Sequence, residues 1–131
     1  VEEILRWTSV VRWFCRTATR DAELGGCPVA AGEKIVMHYP SGSRDPDVND
    51  DPEAFDVKRA EPRHMAFGGG GRHFCLGAGL ARLELRVAFE EILRRWEEIR
   101  LAGEPERLDS EWANALTKLP IQFNEKEIQP A

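Results

Sequence analysis

One thiol carries most of the chemistry this sequence can offer. Cys75 lies in the run Phe67 to Gly77, FGGGGRHFCLG, where four consecutive glycines, Arg72 and His73 precede the sulfur and a helical pattern follows at once. Glycine-rich loops before a helix often serve phosphate, and spacing tests that. A dinucleotide fingerprint, G-x-G-x-x-G between strand and helix, fails because counting from Gly68 or Gly69 brings His73 or Phe74 to the sixth position. A phosphate loop fails too, since no lysine follows the glycines. Zinc would draw on His64, His73 and Cys75, but there is no second close Cys or His pair, and neither H-x-E nor P-C-x-x-C is present.

Two readings of Cys75 are then left. Most lone cysteines are small, inert core residues. The other reading is a thiolate serving as axial ligand beneath a large planar metal cofactor such as haem, and the flanking residues favour it. Glycines let the backbone approach a flat ring and take the positive φ that such a loop needs. An ordinary thiol ionises near pH ~8.5, and loop N–H groups, the N-terminus of the following helix and the iron itself would each favour the anion.

The elements that must position this loop are legible around it. VEEILRW at the start has helical period with no capping residue ahead of it, and is expected to be the end of a helix, over 1–8, whose beginning is missing. SVVRWFCRTATRDAEL and GEKIVMHYP are rich in β-branched and aromatic residues and predict two or three strands in one small antiparallel sheet over 9–38. Residues 39–65 have loop composition, with the carboxylates Asp45, Asp47, Asp50, Asp51, Glu53 and Asp56 forming a solvated acidic stretch. So long a connection without structure is usually functional. The cysteine loop spans 66–77. The strongest helix follows over 78–96, with Leu80, Leu83, Val87 and Ala88 on an apolar stripe and Glu90–Arg94 and Glu91–Arg95 spaced for ion pairs. A strand and a hairpin are expected over 97–125. The fold class is α+β.

Composition sets the remaining bounds. The 131 residues suit a single domain, and 42% hydrophobic content permits a core. A net charge of -5 argues against nucleic acid, although Arg63, Arg72, Arg82 and Arg86 cluster near the glycines as a candidate basic docking face. Cys15, Cys27 and Cys75 are odd in number and widely spaced, so no disulfide framework is expected. No run of about 18 apolar residues suggests a membrane span, no leader-like stretch opens the chain, and a cytoplasmic setting is expected.

The cysteine loop resembles that of the haem-thiolate monooxygenases, the cytochromes P-450. Its matching elements are Phe67, Gly68, Gly71, His73, Cys75 and Gly77. The resemblance extends over essentially the whole chain and implies the C-terminal third of the mostly helical cytochrome P-450 fold. It implies haem b as cofactor, with Cys75 as axial ligand and metal-binding residue, and Arg16 and His73 as partners of the haem propionates. Glu3 and Arg6, in EILR, are similar to the family's structural E-x-x-R pair. Glu91–Arg94 and Glu97–Arg100 repeat that spacing and are read as surface pairs. The implied reaction inserts one oxygen atom from O2 into a C–H bond of a hydrophobic substrate. Val10, Val11, Trp112 and Ala113 would be substrate contacts, and a ferredoxin would dock near Arg63, Arg72 and Arg82.

Two departures from the family pattern stand out. Phe67 lies eight residues before Cys75 rather than seven. That longer loop, together with RLDSEWANALTKLP in the tail, resembles an actinobacterial group that hydroxylates terminal methyl carbons of sterols and branched lipids. Ala54 stands where many members carry an arginine, which leaves open the third partner of the Glu3–Arg6 network. The family's acid–alcohol pair for proton delivery would precede Val1, so this chain alone is expected to lack turnover. The alternative is a truncated, non-catalytic haem-binding or scaffold remnant.

Overall fold

The computed structural model describes residues 1–126. Helix α1 (Glu2–Thr8) carries Glu2 and Glu3 in its first turn, where carboxylates face unpaired N–H groups, and Arg6 in its last. It stops at Ser9, whose φ of 40° is left-handed. Ser9 donates its N–H to the Leu5 carbonyl and its hydroxyl to that of Arg6.

Strands β1 (Trp13–Thr17), β2 (Ala22–Leu24), β3 (Cys27–Val29) and β4 (Lys34–His38) follow. They correct the expectation of one small sheet. β1 pairs with β4, Trp13 opposite His38 and Thr17 opposite Lys34, while β2 and β3 close on each other as a separate pair. The reason is the turn at Gly25 and Gly26, both at positive φ, the conformation that a tight two-residue hairpin requires.

A second correction falls at Tyr39. The segment expected to be loop begins with helix α2 (Tyr39–Ser43), in which Pro40 sits in the first turn, where its missing N–H leaves no bond unmade. Beyond it the loop is pinned by side chains. Asn49 bridges Arg63, donating from Nδ2 to the carbonyl at 2.9 Å and accepting the amide on Oδ1 at 3.0 Å.

Helix α3 (Ala78–Arg95) runs nearly as expected and ends one residue sooner, because Trp96 turns extended and opens β5 (Trp96–Leu101). The tail holds more strand than a strand and a hairpin. β5 pairs with β8 (Ile121–Glu125) across a bulge between Glu97 and Arg100, and β6 (Glu106–Arg107) pairs with β7 (Leu116–Lys118). On α3, Glu91 binds both Arg94 and Arg95 at 2.7 Å, displacing the expected Glu90–Arg94 pair. Among the described residues Glu97 and Arg100 form no ion pair, since the bulge separates them.

The core is small and unusually polar. Leu5, Tyr39 and Ala78 are buried, as are Glu3, Arg6, Ser9, Ser43 and Asn49. The apolar stripe of α3 is not part of it: Leu80, Leu83, Val87 and Leu93 are 62%, 51%, 49% and 64% exposed. Among the described residues, no helix is long and apolar enough to cross a membrane.

Candidate haem-thiolate site

The cysteine loop is held as a closed backbone unit. Cys75 donates its N–H to the Phe67 carbonyl at 3.0 Å, Gly68 to that of Met65 at 2.8 Å, and Phe74 to that of Gly71 at 3.1 Å. The last bond closes a single 3-10 turn, Gly71–His73. Ala78 then donates to the Cys75 carbonyl at 3.2 Å, which passes the chain directly into α3. Gly70 has φ 102° and ψ -168°, a conformation open essentially to glycine alone. Gly77 caps α3, and a Cβ there would lie 3.8 Å from Cys75 Sγ.

Cys75 borders a cavity of about 370 Å³. Its apolar wall comes from Val11, Phe14 and Trp112, and Phe14 meets Trp112 edge-on with ring centroids 5.9 Å apart. Ala66 and Phe67 of the loop line it as well. Arg16, Tyr39 and His73 border both this cavity and a neighbouring one of about 310 Å³, to which Gly68, Gly69, Gly70 and Arg72 contribute.

This arrangement answers the expectations residue by residue. Phe67, His73, Cys75 and Arg16 come together at one cavity, and Gly68 lies at its neighbour. Gly71 borders neither, and contributes its positive φ of 72° to the turn. Val11 and Trp112 reach the cavity because Val11 bridges Ala113 and the Arg12 amide bonds the Trp112 carbonyl at 2.9 Å. Val10 and Ala113 do not line it. Successive residues of an extended chain face opposite ways, so Val10 borders a separate cavity with Trp7, Arg107 and Asn114.

The donor set suits haem. A soft sulfur opens onto a space walled by aromatic rings, and Arg16, Arg72 and His73, whose types can pair carboxylates, border that cavity or its neighbour. His64 is not gathered with them. Its Nδ1 accepts the Ala66 amide at 3.2 Å, so Nε2 carries the proton and donates to Glu2 Oε2 at 3.0 Å.

Behind the loop, Arg6 spends all five of its N–H donors. Nε and Nη2 bind the Glu3 carboxylate at 2.7 and 2.8 Å, Nη1 the Ser43 and Pro52 carbonyls at 3.1 and 2.8 Å, and Nη2 also the Ala54 carbonyl at 2.8 Å. The Arg6 guanidinium holds the Glu3 carboxyl down at about 2. Arg59 is the third partner that Ala54 left open: its Nε lies 3.2 Å from Glu3 Oε2 and its other donors bind the Asp50, Asp51 and Ala54 carbonyls. Position 54 contributes a carbonyl, which any residue supplies.

Several contributors carried no sequence signal. Arg59, Asn49 and Tyr39 all lie in the segment of loop composition, 39–65. Arg82, expected on a free basic face, is instead tied to Glu2 by two bonds of 2.8 and 2.9 Å. Arg63 and Arg72 stay exposed.

Comparison with known proteins places these features in context. The sequence profile of the cytochrome P-450 family matches residues 1–124. A methyl-branched lipid omega-hydroxylase of Mycobacterium bovis is 46% identical over 124 residues, covering 95% of this chain and 29% of the relative. A steroid C26-monooxygenase of Rhodococcus jostii is 43% identical, covering 93% of this chain and 26% of the relative. The crystal structure of CYP108D1 from Novosphingobium aromaticivorans superposes with a TM-score of 0.88 at 41% identity, over 95% of this chain and 30% of that one. The chain thus spans 29% or less of the length of these two curated relatives.

Proposed function

Because the chain belongs to the cytochrome P-450 family, whose cofactor is haem b, we propose that it forms the thiolate side of a monooxygenase site. Cys75 would hold the iron, and Arg16 and His73 would pair the propionates. The observation that carries this reading is the placement of Cys75 on the same aromatic-walled cavity as Arg16 and His73.

Bound haem supplies O2 activation: R–H, O2, two electrons and two protons give R–OH and water. The chain's own residues prepare the site for it. Cys75 would hold the iron through its thiolate, a stronger electron donor than a neutral ligand. The Phe67 carbonyl fixes the Cys75 amide, and so the sulfur's position over the cavity. Arg16, with its planar fork, and His73 pair carboxylates at the border between the two cavities. Phe14, Val11 and Trp112 give the cavity an apolar wall.

The relatives and the loop support one substrate class. Hydroxylation at a terminal methyl of a sterol side chain or a branched lipid fits the 46% and 43% identical relatives and the apolar wall at Val11 and Trp112. Exposed Arg72 offers cationic charge to an acidic ferredoxin, whereas Arg82 is paired with Glu2 and Arg63 lies 3.8 Å from the Glu61 carboxylate. The chain spans about 29% of the first relative's length, and the part of the site assigned to it is the ligand side.

The test is spectroscopic. In the haem-loaded protein, reduction under CO is expected to give the strongly red-shifted Soret band of a thiolate-ligated haem, and Cys75→Ser is expected to abolish it. A Cys75→Ser protein that keeps the band would overturn the assignment.

A further inference from the structure

We propose that Glu2 is a positioning residue for the cysteine loop, acting on Phe67 through two arms, Arg82 and His64. The proposal rests on the reading of Cys75 as the axial ligand. It assigns the neighbour of the E-x-x-R glutamate a task separate from that pair, since Glu3 faces Arg6 and the 50–59 loop while Glu2 faces the cysteine loop and α3.

Glu2 binds Arg82 of α3 with both carboxylate oxygens, Oε1 to Nε at 2.8 Å and Oε2 to Nη2 at 2.9 Å. Oε2 also accepts His64 Nε2 at 3.0 Å. Each arm then reaches the same ring. The Arg82 guanidinium carbon lies 4.6 Å from the Phe67 ring centroid, and the His64 ring meets Phe67 edge-on at 6.1 Å. His64 is also fixed from the loop side, because Nδ1 accepts the Ala66 amide at 3.2 Å. Phe67 is the residue whose carbonyl accepts the Cys75 N–H at 3.0 Å. A carboxylate on α1 therefore sets the ring, the ring's backbone sets the Cys75 amide, and helices on either side of the loop are joined across 80 residues of sequence.

Bidentate geometry holds the Arg82 arm in place. A single ion pair would leave Arg82 free to swing from Phe67, whereas the fork held on two oxygens fixes the plane of the guanidinium.

The experiment compares Glu2→Gln, Arg82→Gln and the double variant in the haem-loaded protein, with Glu91→Gln as a control that removes an exposed carboxylate elsewhere. Two readouts are taken: amide hydrogen exchange at Cys75, and the share of reduced CO-bound haem showing the red-shifted thiolate band. Each single variant is expected to speed Cys75 exchange by roughly threefold to tenfold, the range of one partly exposed ion pair with one cation–π contact. Each is also expected to shift part of the Soret intensity to shorter wavelength, Glu2→Gln more than Arg82→Gln because it releases the His64 arm too, and the double variant to add little to Glu2→Gln. Glu91→Gln is expected to change neither. If Glu2→Gln lowers only the melting temperature and leaves both readouts as in the parent, Glu2 is merely structural and the proposal is overturned. Full additivity of the two substitutions overturns it as well. Should a variant fold too poorly to load haem, Arg82→Lys, which keeps the cation and loses the fork, takes its place with the same expected directions. Failure of the underlying reading is separable, since the parent protein itself would then lack the thiolate band.

Discussion

The Arg6 guanidinium is completely buried against the Glu3 carboxylate, with Nε 2.7 Å from Oε2 and Nη2 2.8 Å from Oε1. Three main-chain carbonyls, from Ser43, Pro52 and Ala54, take the remaining N–H groups. A helix side chain thereby shapes a loop 37 to 48 residues away, which in turn leads into the cysteine loop.

Removing one partner of that pair leaves an uncompensated buried charge, so Arg6→Ala and Glu3→Gln are each expected to cost about 3 to 5 kcal/mol. Arg6→Lys should recover little, because an ammonium offers three donors where five are used. Denaturant unfolding of the haem-loaded protein, with folded yield as a second measure, checks both. Near-parental stability in Arg6→Lys would mean that charge alone suffices.

Acid should weaken the protein through the same carboxylate. The Arg6 hydrogen bond lowers Glu3 from its ordinary value of 4.5 to about 2 in the folded chain, and Arg82 does the same for Glu2. A depressed carboxylate contributes its full stabilisation above the unfolded value, and that contribution disappears as pH falls through the folded one. Melting temperature is therefore expected to drop between about pH 4.5 and pH 2, and Glu3→Gln to flatten that limb. Glu91 is also held at about 2, but it is exposed, so Glu91→Gln should leave the limb unchanged in high salt.

Met65 is wedged between two glycines, one on α2 and one in the cysteine loop. A Cβ on Gly42 would lie 2.8 Å from Met65 Cγ, whereas one on Gly69 would lie 2.9 Å from the terminal Cε. The Cγ cannot swing aside without moving the whole side chain. Gly42→Ala is expected to cost about 1 to 3 kcal/mol by overpacking, and Gly69→Ala less. Adding Met65→Ala to Gly42→Ala should return part of the loss in a double-mutant cycle; no recovery would show that the wedge is not the cause.

Local features of this protein were legible in its sequence: the glycine-to-cysteine loop, the long helix that follows within one residue of its observed end, and, with the family resemblance to single it out among three equal spacings, the Glu3–Arg6 pair. Those depend on contacts within a few residues, where backbone freedom and helical spacing act directly. Spacing alone also rejected the phosphate loops. Tertiary structure decided what distant segments do to one another. Sequence placed Arg82 on an open docking face, but Glu2 lies 80 residues away and claims it. Nothing local marks Arg59 as the partner of Glu3 or separates Val11, on the cavity, from Val10, off it. Nor does period along α3 reveal that its apolar stripe stays exposed among the described residues. The physical reason is common to all four: a side chain's spacing fixes its direction from its own backbone, while its partner is fixed only when the chain brings another segment within reach.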